Sequence, residues 1–248
     1  MWITDLYAKK AVERIRNHNK SSPLFLFLSF QAPHMKIQTP PAKYMSQYSG
    51  VEQIYQSIRP PAKRSDLERA AAVTALDTGV GKVVDALKAA GLYQNSVIIF
   101  TTDNGGALLK KSNFPLRSKK TWLYEGGVRA VGWVNSPHIC KRGRVNDNNM
   151  MFVTDWFATL LSIAGLKSRR PANVDSFNMW ESISENQRSP RKEIILNIGE
   201  DKEKGLWSAS VIWKSYKLIW GQQALLGKHP VSGYDKWREQ SQILLFLI

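Results

Sequence analysis

The sequence predicts an α/β fold: a largely parallel central sheet flanked by helices, with short antiparallel strands toward the C-terminus. Three observations predict it. Two short apolar runs, PLFLFLSF (23–30) and SVIIFTT (96–102), have the pattern of strands buried on both faces. Segments of helical periodicity precede and separate them. From about Arg188 the texture changes to brief strand-like runs divided by turns, as expected of antiparallel pairing.

In chain order, residues 4–18 form the first predicted helix, with Leu6, Ala11, Val12 and Ile15 on one side. The run 23–30 follows as a strand, and a Pro-rich loop extends from Ala32 to about Ala62. Residues 64–92 then predict a long helix. Ser65 with Glu68 has the spacing of a capping box, Leu76, Val80, Val83 and Leu87 share a face, and Gly91 marks the stop. The second strand is 96–102 and the third is VRAVGWV (128–134). Thr154 opens another amphipathic helix, DWFATLLSIAGL, which ends near Gly165. EIILNI, SASVIW and YKLIW complete the C-terminal strands. The predicted division is 1–187 as the main domain and 188–248 as the start of a small antiparallel region.

With 248 residues, 43% of them hydrophobic, and nine tryptophans, the chain has a globular composition. No apolar run reaches the roughly 18 residues of a membrane span, and no signal-peptide core follows Met1. The formal charge of +15 favours polyanionic partners: nucleic acid, anionic lipid, or sulfated and phosphorylated sugars. No recognised nucleic-acid motif is present, and much of such an excess is ordinarily a solvated face. Cys140 is the only cysteine, so no internal disulfide forms. Asn19-Lys20-Ser21 matches the glycosylation triplet.

GVGK (79–82) has a phosphate-loop appearance but lacks the upstream glycine, has Val83 where Ser or Thr is required, and falls inside the long helix. The double glycines at 105–106 and 126–127 lack the third glycine of a dinucleotide fingerprint.

In an open parallel sheet, ligands collect at the carboxyl ends of strands. His34, in QAPHMKIQTP, and Asp103-Asn104, directly after VIIFTT, both fall at such ends. Asp103 and Asn104 offer the oxygen ligands that hard cations take, but Asp-Asn-Gly-Gly is also turn-prone, and local sequence favours the turn. Lys119 and Lys120 follow a Pro-Leu-Arg segment, where a lysine can hold a sulfate or phosphate oxygen as a point charge. His34 can donate to an anionic substrate or protonate a leaving group; the same position also suits a solvated loop histidine. His18, His138 and His229 have no convergent partners in sequence and read as surface histidines.

The segments PLFLFLSFQAPH, ALDTGVGKVVDALKAAGL, VIIFTTDNGG, NFPLRSKKTWLYEGGVR and VTDWFATLLSIAG resemble, in order and spacing, the sulfatases, and in particular the arylsulfatase B group. The similarity continues through VDSFNMWESISENQRSPRKEIILNI and SYKLIWG. The resemblance implies an alkaline-phosphatase-like fold and hydrolysis of sulfate esters, with a sulfated small molecule or glycosaminoglycan as substrate. It implies a calcium ion held in part by Asp103 and Asn104, with His34 and Lys120 on the sulfate group. It also implies a glycoprotein in the lysosome or outside the cell.

The departures from the family pattern carry expectations of their own. Sulfatases use a nucleophile in a Cys-x-Pro-Ser-Arg motif, whose cysteine becomes formylglycine. Here Cys140 is followed by Lys141, Arg142 and Gly143, so this chain supplies no nucleophile. The family's N-terminal Asp-Asp ligands and Lys-x-His segment are absent as well, which leaves the calcium ligand set incomplete. The expectation is a fragment, a truncated isoform or a pseudoenzyme, with the start of the family domain missing. The alternative reading is a catalytically dead protein that binds glycosaminoglycans or another polyanion.

Overall fold

A computed structural model describes residues 1–34, 39–51, 64–107, 113, 115–140, 142–146, 149–166, 173–201, 206–221 and 243–247. The chain divides into two compact units, Met1–Ser96 and Val97–Ile248.

The first unit is helical. Helix α1 spans Ile3–Arg16, α2 spans Ala42–Met45 and α3 spans Arg64–Ala89. The buried residues of α1 are Thr4, Ala8, Ala11 and Ile15, the three- and four-residue spacing of one helix face. This face is rotated from the predicted one, because small residues let α1 approach α3 closely. Gly79 on α3 shows how closely: an added Cβ would lie 3.3 Å from the Phe30 ring and 3.5 Å from Ala8. Gly79 thus serves helix packing, whereas Gly81 and Lys82 of the same GVGK stretch are exposed. Trp2, Tyr44, Ala71, Ala72 and Ala75 form the core of this unit. Asp5 ties its elements together, accepting from the Tyr44 hydroxyl at 2.7 Å and pairing with Lys43 at 2.9 Å.

The end of α3 follows from its sequence. Gly91 has φ +73°, its N–H donates to Lys88, and Leu92 N–H reaches back to Leu87. These are the paired bonds by which a left-handed glycine closes a helix. The start differs from the expectation. Ser65 lies within the helix, and Glu68 accepts from Arg64 and from the Thr39 hydroxyl.

The second unit contains β1 (Ile98–Thr101), α4 (Glu125–Val128), β2 (Gly132–Asn135), α5 (Asp155–Ile163) and α6 (Trp180–Glu185). Strands β3 (Glu193–Asp201), β4 (Leu206–Trp213), β5 (Tyr216–Gly221) and β6 (Ile243–Leu247) follow. Helix α5 stops like α3, with Gly165 at φ +74° and bonds to Ser162 from Gly165 and to Leu161 from Leu166.

The expected parallel central sheet is corrected by this topology. β1 pairs antiparallel with β2, with Phe100 stacked on Trp133 at 5.4 Å. The other sheet, in the order β3-β4-β5-β6, is antiparallel throughout. PLFLFLSF joins no strand among the described residues, and Phe25 and Phe27 are 75% and 82% exposed. The physical reason is that an apolar run specifies neither which segment pairs with it nor the direction of that neighbour, and 23–30 meets no partner strand among the described residues. Direction is fixed by whichever strand supplies the hydrogen-bonding partner.

A buried ion pair joins α5 to the edge of the larger sheet. Arg191, just before β3, donates from Nε and Nη2 to the two oxygens of Asp155 at 2.7 and 2.8 Å, and from Nη2 to Asp175 at 2.9 Å. The Asp155 carboxylate also accepts the backbone N–H groups of Phe152 and Phe177. Every lone pair of a fully buried acid is engaged, which is what makes such burial tolerable. Among the described residues, no helix is long and apolar enough to cross a membrane.

Candidate active site

The DNGG turn, Asn113 and the segment 115–128 fold into a single knot at the end of β1. Thr102 closes the strand: its N–H donates to Val131 O at 2.9 Å, and its hydroxyl accepts from Val131 N–H at 3.0 Å. Asp103 is exposed, and its carboxylate accepts the N–H of Asn104 at 2.9 Å. The Asn104 side chain donates to Gly105 O at 2.7 Å. These are local side-chain-to-backbone bonds within a turn, the alternative that the sequence favoured.

The glycines account for the close approach. Gly105 N–H donates to Gly127 O at 2.9 Å, Gly126 N–H to Arg117 O at 2.7 Å, and Lys120 N–H to Gly106 O at 2.9 Å. The Asn113 amide closes on Gly126 O. A Cβ on Gly105 would overlap the Gly126 carbonyl. One on Gly126 would lie 2.5 Å from the carbonyl oxygens of both Arg117 and Ser118, and one on Gly127 would overlap Trp122 O. None of these glycines has a left-handed φ, so absence of side-chain volume is the requirement here.

Left-handed backbone appears instead at Ser118 (φ 71°) and Thr121 (φ 81°), on either side of Lys119-Lys120. Such conformations cost about 1–3 kcal/mol each and persist where the surroundings impose them. The knot imposes them through the bonds just described. Tyr124, buried against Leu123 and Ile219, lies under the Arg117 guanidinium at 4.1 Å. Burial pushes the Tyr124 hydroxyl pKa up against the opposing effect of Arg117.

A second support was missed by the sequence reading. Lys217, on the inward face of β5 and 1% exposed, donates to Glu125 of α4 at 2.7 Å. Burial lowers the Lys217 pKa, and Glu125 works against that shift. The signal in YKLIW was a lysine at an inward position of an alternating strand.

The structure brings Asp103, Asn104 and Lys120 into one knot. His34 belongs to the Met1–Ser96 unit, where it follows the cis Ala32–Pro33 peptide and its N–H donates to Gln31 O at 2.9 Å. Cys140 is an exposed free thiol, and His138 is exposed. His18 is more than a solvated histidine: its Nε2 donates to Ser22 O at 2.8 Å. His229 and Phe114 lie outside the described residues.

The calcium expectation is corrected. Among the described residues, no group of three or more His, Cys, Asp or Glu comes together to hold a metal ion. Calcium takes six to eight oxygen ligands, whereas here one Asp103 oxygen already accepts the Asn104 N–H and no two further acidic or histidine side chains join it among the described residues. The residues present do not fit the ion, and no chemistry is routed through it.

Comparison with known proteins gives the class. The family model described as Sulfatase matches residues 3–166, and the chain belongs to the sulfatase family. It is 35% identical to Arylsulfatase J of Mus musculus over 220 residues, covering 87% of this chain and 35% of that protein. It is 29% identical to N-acetylgalactosamine-6-sulfatase of Mus musculus over 230 residues, covering 86% of this chain and 40% of that protein. The crystal structure of Ps i-CgsB in complex with k-i-k-neocarrahexaose is similar with a TM-score of 0.73 and 27% identity, covering 94% of this chain and 51% of that one. The chain therefore spans well under two thirds of the length of the relatives it matches.

Proposed function

We propose that this chain forms the sulfate-holding part of a sulfuric ester hydrolase acting on sulfated sugars, with Lys120 and His34 as the groups that meet the sulfate. The observation that carries the reading is the knot, which fixes the Lys120 backbone to Gly106 beside the Asp103-Asn104 turn. With its backbone anchored there, Lys120 can bring its ammonium to a sulfate oxygen as a point charge. His34 would donate to a second oxygen or to the departing alcohol. N-acetylgalactosamine-6-sulfatase and the carrahexaose complex among the similar proteins support a sulfated sugar as the substrate class.

The chain contains no Cys-x-Pro-Ser-Arg segment, so binding is proposed here without turnover. A lysosomal or secreted setting goes with the family reading. The test is calorimetric titration of the full chain with a sulfated oligosaccharide and its desulfated counterpart. Lys120→Ala is expected to weaken the sulfated ligand about tenfold, or 1.4 kcal/mol, and to leave the desulfated one unchanged. Equal affinity for both ligands, or an unaffected Lys120→Ala variant, would overturn the reading.

A further inference from the structure

We propose that Asn19 is an N-glycosylation site, a modification independent of the sulfate-binding reading. Asn19-Lys20-Ser21 is the single Asn-x-Ser/Thr triplet of the chain, and proline is absent from its middle position. The structure displays it in a form that can both accept and carry a glycan. The end of α1 at Arg16 leads into a turn in which residues 19–22 are all exposed.

Three hydrogen bonds define that turn. Ser22 N–H donates to Asn19 O at 3.0 Å, His18 Nε2 donates to Ser22 O at 2.8 Å, and Ser21 N–H donates to Asn19 Oδ1 at 3.0 Å. The last bond occupies the amide oxygen and turns the Asn19 side chain toward the Ser21 residue that a transferase reads with it. The amide nitrogen of Asn19 and the hydroxyl of Ser21 take part in no hydrogen bond among the described residues. Other asparagines differ: the amide nitrogens of Asn104, Asn113, Asn146, Asn149 and Asn178 all donate to protein groups, and none of these residues opens such a triplet.

The reaction needs a lipid-pyrophosphate-linked oligosaccharide and an oligosaccharyltransferase. Asn19 Nδ2 attacks the anomeric carbon of the first sugar, and a C–N bond forms as the C–O bond to pyrophosphate breaks. The amide loses one proton to the transferase, the lipid pyrophosphate leaves with the electron pair, and no redox change occurs. In the folded chain the sugar then extends from an exposed turn, so no core residue is displaced.

The experiment expresses the full chain behind a secretory leader in eukaryotic cells, with a second acceptor triplet in a C-terminal tag. Only molecules whose tag carries a glycan are scored, so entry into the secretory pathway is assured. The expected result is one further mobility step that an endoglycosidase removes. It should be absent in Asn19→Gln and Ser21→Ala and be at least as fully occupied in Ser21→Thr. Tag-glycosylated chain without the second step, or a step that survives Asn19→Gln, would overturn the proposal.

Discussion

At the scale of single residues, the candidate site depends on atoms that are absent. Gly105 faces the Gly126 carbonyl so closely that one added carbon cannot fit without backbone movement. Gly105→Ala is expected to cost at the upper end of the roughly 1–3 kcal/mol typical of overpacking, read as a lowered denaturant midpoint. Glu125 and Lys217 make a second, asymmetric case. Lys217→Met leaves a glutamate that still reaches water, whereas Glu125→Gln strands a lysine that is 1% exposed. Glu125→Gln should therefore be the more damaging, with a total loss of about 3–5 kcal/mol. The pH dependence has a definite sign. A lysine whose folded pKa is depressed binds more protons when unfolded, so its contribution to stability rises with pH from the folded pKa up to the free-lysine value. Glu125→Gln lowers the folded pKa further, and urea titrations of this variant should show a steeper gain in stability between neutral and alkaline pH than the parent shows.

At the scale of elements, helix stops were legible, while the start of α3 and the strand partners were not. Gly91 and Gly165 stop α3 and α5 through bonds to residues a few positions back, so the signal and its consequence lie in the same short stretch. The direction of β1 depends on β2, which approaches from across a long connection. The same limit hid the clasp between α5 and β3. Asp155 and Arg191 are ordinary charges in sequence, and only the fold shows that both are buried. Arg191→Leu leaves the Asp155 carboxylate buried and unpaired, with an expected loss of about 3–5 kcal/mol by chemical denaturation. Hydrogen exchange should place the loosening in α5 and the start of β3, because those are the elements the guanidinium joins.

At the scale of the whole molecule, the family was legible and the metal was not. Ordered segments spread along the chain carried the resemblance, and the family match over residues 3–166 agrees with it. The carboxylate and amide after β1 read locally as a turn, while the resemblance implied ligands, and a sequence cannot report which hydrogen bonds they already make. The expected activity follows from the inventory of nucleophiles. Cys140 is exposed and lacks the Pro and Ser-Arg of the formylglycine motif. Purified full chain should give no turnover in an aryl sulfate assay, and Cys140→Ser should leave that baseline unchanged. Robust hydrolysis abolished by Cys140→Ser would assign the thiol the role denied to it here.

The mutual seating of Gly105, Gly126 and Gly127 also constrains how the chain can change over evolutionary time. Each glycine meets a different stretch of backbone: Gly105 the Gly126 carbonyl, Gly126 the Arg117 and Ser118 carbonyls, and Gly127 the Trp122 and Lys119 carbonyls. Movement that makes room at one position therefore leaves the other two as crowded as before. Because Gly105 touches Gly126, a double-mutant cycle on Gly105→Ala and Gly126→Ala should show a coupling of about 0.5–3 kcal/mol. A side chain gained at one of the three positions gives no licence for a side chain at the next.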